Sequence, residues 1–415
     1  MPMREPYIVG IDLGATQLRF IAAKSKTGEI RKSGPEDKGK YFFPSPFKKM
    51  GEGFLIDNLL KKIPLHERTS VYLYEKLNIF LKKSALKKSQ VKAIGISVPG
   101  RILPGNKFMG ANTPFTYATK DRYGNYGIDV MGTIKREFKE IKIALDNDCN
   151  CAGLAQGLYY KSLGIDPHTT FYITISTGIG GGGPRRDLDE VGHIPVDGGF
   201  PGLIPRCGCG AYGCLEAYAS GEGILNQALN ILRLYREDKR MFKQFETYES
   251  MRLNKPLHLS EKILVSHLER EYSRGRQLST KLIFRKAALD KEKTGFDPFA
   301  RYLVETAAVR TAKIIVAISY IHGLERIGIG GSVALENPRY VELISAEVNR
   351  IFWKTPHILQ REVKVELSPL GYYVNDYGAL SLVLDHKDID QWVATMKKLA
   401  NTKNETFMTF GHKEI

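Results

Sequence analysis

The sequence predicts an α/β protein from three observations: short apolar runs alternate with amphipathic segments of helical period, glycine-bearing turns sit where those runs end, and 43% of the residues are apolar, enough to fill a sizeable core. A chain of 415 residues is long enough for about two or three structural units. No period of roughly 20 to 50 residues suggests a solenoid.

Residues 7–12 (YIVGID) and 18–24 (LRFIAAK) read as two strands around a tight turn holding Gly14, with 29–33 as a third strand. A polar, lysine-rich segment then runs through Ser89. Residues 91–98 (VKAIGISV) and 141–146 (IKIALD) are the next strands, the latter leading directly into a helix over 150–163. Residues 170–176 (TFYITIS) form a strand that ends in the glycine run 178–183. Helices follow over 215–235 and 299–322, then a strand at 326–329, a helix over 337–352, a strand at 363–367 and a last helix from Asp376. The longest strongly apolar stretch, 302–321, is interrupted by Glu305, Arg310 and Lys313, which makes it an amphipathic helix and not a membrane span. Arg4 and Glu5 precede a single short strand with no signal-peptide core, so a cytoplasmic protein with no membrane partner is expected.

The formal charge of +16 invites a polyanion partner. Its distribution weakens that reading. Residues 31–90 hold 14 Lys/Arg against 6 Asp/Glu and residues 231–300 hold 16 against 10, so the excess is confined to two stretches that read as solvated faces.

Five groups carry chemistry. Asp12-Leu-Gly-Ala-Thr16 joins two strands; such a turn either brings N–H groups and the Thr16 hydroxyl to a phosphate, with Asp12 at the edge of a metal ion, or is an ordinary hairpin turn. Ser176-Thr-Gly-Ile-Gly-Gly-Gly-Gly183 is a second side-chain-free loop, and neither a GxxxxGK[ST] loop nor a GxGxxG loop opening into a helix. Ile329-Gly-Gly-Ser332 is a third, at a strand end before a helix. Three such loops favour a nucleotide site. Asp146-Asn-Asp-Cys-Asn150 lies at a strand-to-helix junction, where Asp148 is either a cap or a rigidly held proton acceptor. Finally, Glu190-Val-Gly-His193, Cys207-Gly-Cys209 and Cys214-Leu-Glu216 place three thiols and an imidazole within 22 positions, a closed tetrahedral donor set for structural zinc. The other two cysteines, Cys149 and Cys151, read as small buried residues at a helix start.

Together the blocks GIDLGAT, GISVPG, DNDCNCAGLAQ, STGIGGG, EVGH, CGCGAYGCLEAYASG and GIGGSV, spread over residues 10–333, resemble the ROK family of sugar kinases and repressors within the actin-like ATPase superfamily. The resemblance implies two ribonuclease-H-like domains around a nucleotide and sugar cleft, divided as 1–145, with a basic insertion near 31–90, and 146–375, with the zinc motif and a basic helical insertion near 236–280; residues 376–415 pack back on the first domain. It implies ATP-dependent phosphorylation of a hexose hydroxyl, glucose foremost, with Mg²⁺ and a structural Zn²⁺. It makes Asp148 the catalytic base, and Gly100, Asn112, Asn147, Glu190, His193 and Glu216 sugar contacts. Asp12, Gly14, Thr16, Thr177, Gly178, Gly180, Gly330 and Gly331 fall in the phosphate and adenosine motifs, and His193, Cys207, Cys209 and Cys214 match the zinc ligands. A homodimer or homotetramer is implied.

Two departures bear on the sugar. Only residues 183–189 separate STGIGGG from EVGH, where the family carries a longer hairpin, and the Asn112 segment lacks the family's tryptophan. Other hexoses and N-acetylhexosamines therefore stay open as substrates, as does polyphosphate as donor. A repressor of this family carries a helix-turn-helix before the first glycine motif; nine residues precede Gly10, so no DNA partner is expected. A non-catalytic sugar-binding protein is the remaining alternative.

Overall fold

The computed structural model describes residues 5–14, 17–31, 40–50, 53–110, 115–120, 126–183, 190–196, 199–290, 295–354 and 362–406. The chain separates into two compact units, the first formed by residues 1–168, 182–189 and 369–415 and the second by residues 169–181 and 190–368. The first unit thus runs past residue 145 through the helix that follows, and takes in the C-terminal segment.

A five-stranded sheet centres the first unit, in the order Lys142–Asn147, Val91–Val98, Tyr7–Leu13, Gln17–Lys24, Lys40–Pro44. The first three run parallel and the last two continue antiparallel. Strand alternation divides the side chains cleanly between two faces. Val9, Ile11 and Leu13, with Ile94, Ile96 and Val98, join Leu73, Leu77 and Phe80 of the Leu65–Lys83 helix in one core. That helix lies in the segment whose lysines dominate the sequence. Its apolar residues recur at helical spacing, and the charged ones occupy the other side.

On the opposite face the sheet is nearly bare. Gly10 pairs with Gly95, and Gly95 with Ala144, giving a row of minimal side chains across three strands. The helix Val374–Ser381 lies on this row so closely that a Cβ on Gly95 would sit 1.7 Å from the carbonyl oxygen of Ala379. Gly378 of the same helix abuts the backbone of Cys151, where an added Cβ would approach to 2.4 Å. Helix Asp148–Lys161 is fixed in turn. The following helix, Ile389–Thr406, anchors through the Trp392 indole N–H, which donates to the Ser25 carbonyl at 2.8 Å.

The second unit repeats the scheme with a four-stranded sheet ordered Ile179–Gly182, Thr170–Ile175, Arg326–Gly330, Lys364–Leu367, of which the last three are parallel. The 25-residue helix Pro298–His322 starts on an Asp297 cap, whose carboxylate accepts from the Phe299 and Ala300 N–H groups, and ends at Gly323 with φ 65°. Short helices between residues 239 and 287 pack beside it.

The structure alters three sequence expectations. A strand lies at Lys40–Pro44; of the strand expected at 29–33, residues 32 and 33 lie outside the described residues, and within 29–31 Ile30 makes an isolated bridge to Ala23 beside the Lys24–Glu29 turn. The helix expected over 215–235 breaks into Leu215–Ala219 and Gly221–Glu237, since Ser220 is extended and its hydroxyl caps the second helix through the Gly223 N–H. The final helix is two helices, beginning at Val374 and Ile389. Among the described residues no helix is long and apolar enough to cross a membrane.

Candidate active site

The strand Tyr7–Leu13 delivers Asp12 to its carboxyl end, 6% exposed. Directly across the hairpin in register stands Arg19, whose Nε donates to Asp12 Oδ2 at 2.9 Å while its Nη2 closes an ion pair with the same oxygen. The buried Ser97 hydroxyl donates to Oδ1 at 2.9 Å. Asp12 is therefore compensated by a guanidinium within the fold, and any cation brought near it meets Arg19 as well. Gly14 closes the turn by donating to the Gln17 carbonyl at 2.8 Å. Thr16 lies outside the described residues.

The Asp146–Asn150 junction resolves the question of the cap: it is Asn147. Its Oδ1 accepts from the Cys149 and Asn150 N–H groups, and its Nδ2 donates to the Gly100 carbonyl at 3.1 Å. Asp146 underpins it, accepting the Asn147 N–H at 2.8 Å and the Asn150 amide at 3.3 Å. Asp148 opens the helix as a partly buried residue, and its carboxylate accepts the Cys149 N–H at 2.8 Å. Burial and the negative charge of Asp12 push the Asp148 carboxyl up to about 6, against the pull of the Cys149 N–H. A carboxyl so poised is half protonated in mildly acidic solution and a competent base at neutrality. Gly100 fits its place for a steric reason, since a Cβ there would lie 2.5 Å from the Met109 carbonyl oxygen. Asn112 lies outside the described residues, as do residues 184–189 of the shortened loop.

In the second unit the Ser176–Gly178 turn exposes Thr177 and closes with the Ser176 N–H donating to the Gly178 carbonyl at 2.9 Å. Its back is held by the Gly221 N–H, which donates to the Ser176 carbonyl at 2.8 Å, and by Glu216, whose Oε2 accepts the Ile179 N–H at 2.9 Å. Gly180 is half-buried in the strand that follows. Gly330 and Gly331 are dictated by packing: added Cβ atoms would come within 2.4 Å of the Tyr172 hydroxyl and 2.5 Å of the Ile175 carbonyl oxygen, and Gly331 has φ 85°.

His193, Cys207, Cys209 and Cys214 converge, their ligand atoms all within 4.8 Å of one another. Cys207 Sγ lies 3.4 Å from His193 Nδ1, and the Cys209 and Cys214 sulfurs are 3.8 Å apart. A tetrahedral zinc with about 2.1 Å Zn–N and 2.3 Å Zn–S bonds requires separations of about 3.6 and 3.8 Å, so the donors fit that ion. Gly210 and Gly213, with φ 94° and 77°, let the chain double back so that Cys207 N–H reaches the Ala211 carbonyl. Burial pushes the Cys207 thiol up to about 12 and raises that of Cys214, while the Ala211 N–H draws Cys209 down. Clustered thiols that resist ionisation when buried suit a cation that replaces their protons. On the far side of the ring, His193 Nε2 lies 3.6 Å from the carboxylate of exposed Glu190.

Sequence reasoning missed Arg19, Ser97 and Asp146, all of which hold the proposed residues from behind. Arg19 was detectable: it falls seven positions after Asp12 across a tight hairpin, which puts the two opposite each other. A separate cavity of about 20 Å³ in the second unit, among Tyr218, Gln227, Glu249, Tyr302 and Arg310, has room for one water and not for a sugar.

The ROK family profile matches residues 61–385. A glucokinase of Aeropyrum pernix is 30% identical over 215 residues, covering 50% of this chain and 56% of the relative. An N-acetyl-D-glucosamine kinase of Salmonella arizonae is 31% identical over 154 residues, covering 32% and 45%. The chain thus spans about half the length of these curated relatives. The ROK hexokinase structure from Thermus thermophilus superposes with a TM-score of 0.56 at 22% identity, over 92% of this chain and 99% of that one, and shows the shared actin-like ATPase fold. A profile match over most of the chain, a shared fold and a cysteine block folded into one donor cluster lead to one assignment: the chain belongs to the ROK family.

Proposed function

We propose that the protein is an ATP-dependent sugar kinase that phosphorylates a hexose hydroxyl, with glucose the first candidate and Asp148 the general base. The observation that carries this reading is the state of Asp148: a helix-starting carboxyl, fixed by the Asn147 cap and with a pKa of about 6, accepts a proton at neutral pH and releases it readily. In the step, the sugar oxygen bonds to the γ-phosphorus, its proton passes to Asp148, and the bond from phosphorus to the β-γ bridging oxygen breaks to release ADP. Asn147 and Gly100, with Glu190 and His193, are assigned to the sugar hydroxyls, and the Gly14 and Thr177–Gly178 turns to the phosphates. Mg²⁺, when bound with ATP, offsets phosphate charge. Zinc held by His193, Cys207, Cys209 and Cys214 fixes the ring and loop geometry of its ligands.

The glucokinase relative supports glucose, and the N-acetyl-D-glucosamine kinase relative supports N-acetylhexosamines as the second reading. A coupled ADP-release assay on zinc-replete protein with Mg-ATP, run across glucose, fructose, mannose, N-acetylglucosamine and N-acetylmannosamine, tests both. Turnover on one sugar that drops about 10² to 10⁴-fold in Asp148→Asn is expected. Near-normal turnover in that variant removes Asp148 from the role; no ADP release with any of these sugars and ATP, together with no sugar phosphate formed when polyphosphate replaces ATP, removes the kinase reading.

A further inference from the structure

Three glycines set the surroundings of the first turns of the helix Asp148–Lys161, which opens on the proposed base. The strand Ile179–Gly182 ends against it: a Cβ on Gly182 would lie 2.5 Å from the Cys149 carbonyl carbon and oxygen and 2.6 Å from the Asn150 nitrogen. The helix meets the strand with Gly153, where a Cβ would lie 2.4 Å from the Gly182 carbonyl oxygen. A glycine inside a helix costs about 1 kcal/mol relative to alanine, and here it lets the two backbones touch. At about 100° per residue, Cys149, Asn150 and Gly153 share one side of the helix, and Cys151 lies about 150° round from their mean direction. That far side is taken by Gly378, whose own Cβ would lie 2.4 Å from the Cys151 carbonyl oxygen. Gly182, Gly378 and the helix all belong to the first unit. Backbone packed on backbone leaves no side-chain rotamer to take up a displacement. The glycine run 178–183 reads in sequence as a loop for phosphate, yet the place of a Gly182 side chain is filled by the helix.

We propose that Gly182 and Gly153 are positioning residues for the general base: with Gly378 opposite, they fix the start of the helix and with it the Asp148 carboxylate. This rests on the reading of Asp148 as the base. An alanine methyl at either position starts 2.4–2.5 Å from backbone, about 1 Å short of an ordinary contact at about 3.5 Å. The strand is paired into its sheet, whereas the first N–H groups of a helix have no intrahelical partner, so the helix start is the part that gives.

The test pairs steady-state kinetics on the sugar turned over with residue-resolved hydrogen exchange of substrate-free protein, in wild type, Gly182→Ala and Gly153→Ala. A misplacement of about 1 Å is expected to lower kcat about 10²-fold, with KM for ATP and for sugar each within about threefold of wild type. Exchange of the Cys149 and Asn150 amides, both bonded to the Asn147 cap, is expected to accelerate about tenfold or more, while the helix Leu65–Lys83 of the same unit keeps its wild-type rates. Three results overturn the proposal: wild-type kcat in both variants, a raised KM for ATP at unchanged kcat, which would return Gly182 to the nucleotide, or faster exchange spread evenly over the first unit, which would make these glycines stability residues only. If Gly182→Ala does not fold, Gly153→Ala decides, because alanine favours the helix it enters. If neither folds, wild-type exchange decides: a gripped helix start keeps Cys149 and Asn150 among the slowest amides of the unit, and rapid exchange there overturns the grip. Near-normal turnover in Asp148→Asn, or a wild type that turns over no sugar, overturns the reading of the base or of the kinase, and the exchange pattern still reports separately whether the glycines hold the helix.

Discussion

Asp148 carries a thermodynamic penalty that can be measured without substrate. Its carboxyl titrates at about 6 in the fold against an ordinary 3.8, so the native state holds the proton more tightly than the unfolded chain does. For an acid shifted upward, the contribution to stability is most favourable below pH 3.8 and declines as pH rises toward 6, because the folded protein must then house a charge that burial and Asp12 oppose. At about 1.4 kcal/mol per pKa unit, the difference reaches at most about 3 kcal/mol. Partial exposure of Asp148 screens it, leaving about 1–2 kcal/mol. Asp148→Asn keeps an oxygen for the Cys149 N–H and carries no charge. In the absence of nucleotide and metal, the variant should match wild type near pH 4 and exceed it by about 1–2 kcal/mol above pH 6.5. Paired urea titrations from pH 4 to 8, monitored by fluorescence, measure the difference directly, and the other titrating groups cancel between the two proteins. A variant that is less stable at neutral pH, or a difference flat across pH, refutes the account of Asp148 as a strained carboxylate.

Three further outcomes follow from the same contacts. If Asp148 is the base, the acid limb of the turnover profile lies near pH 6, and Asp12→Asn shifts that limb to lower pH by removing the neighbouring negative charge; a pH–rate series on both proteins checks the sign. Gly95→Ala forces a methyl into the Ala379 carbonyl and should cost about 3 kcal/mol or more, or prevent folding, whereas Gly105→Ala, with φ 80° and no atom near its added Cβ, costs about 1 kcal/mol, as read from denaturation midpoints. Glu249, 2% exposed and bonded by Arg252 at 2.6 and 2.7 Å and by the Tyr302 hydroxyl at 2.8 Å, is held below the usual carboxylate range by Arg252 against the upward push of burial; Glu249→Ala should destabilise by about 3–5 kcal/mol in thermal unfolding.

What the sequence disclosed depended on whether the governing physics is local. The strands at 7–13, 91–98 and 170–175 are buried on both faces and read as continuous apolar runs. The cysteine cluster was legible because donor type and spacing are themselves the signal, and the Asp146–Asn150 junction because caps have a chemical signature. The helix Leu65–Lys83 stayed hidden behind Lys76, Lys82 and Lys83, although Leu73, Leu77 and Phe80 already trace a helical stripe. The strand at Lys40–Pro44 is an edge strand paired on one side, with little alternation to mark it. The members of the row Gly10–Gly95–Ala144 belong to three neighbouring strands far apart in sequence, and only register brings them together.

That register also separates the duties of two nearby carboxylates. Asp12 and Asp148 stand at the carboxyl ends of strands in one sheet, close enough for the charge of one to raise the other. Two such groups would compete for a proton if their surroundings were alike. They are not alike. Asp12 has the Arg19 guanidinium across the hairpin and the Ser97 hydroxyl beside it, whereas Asp148 accepts the Cys149 N–H and is pressed by burial and by the charge of Asp12. Burial first and the charge of Asp12 second leave Asp148 as the carboxyl that gains and loses a proton near neutrality, while Arg19, seven residues beyond Asp12 and opposite it in register, holds Asp12 in an ion pair. Environments that treat two acids differently are how a single sheet edge assigns one to hold and the other to react.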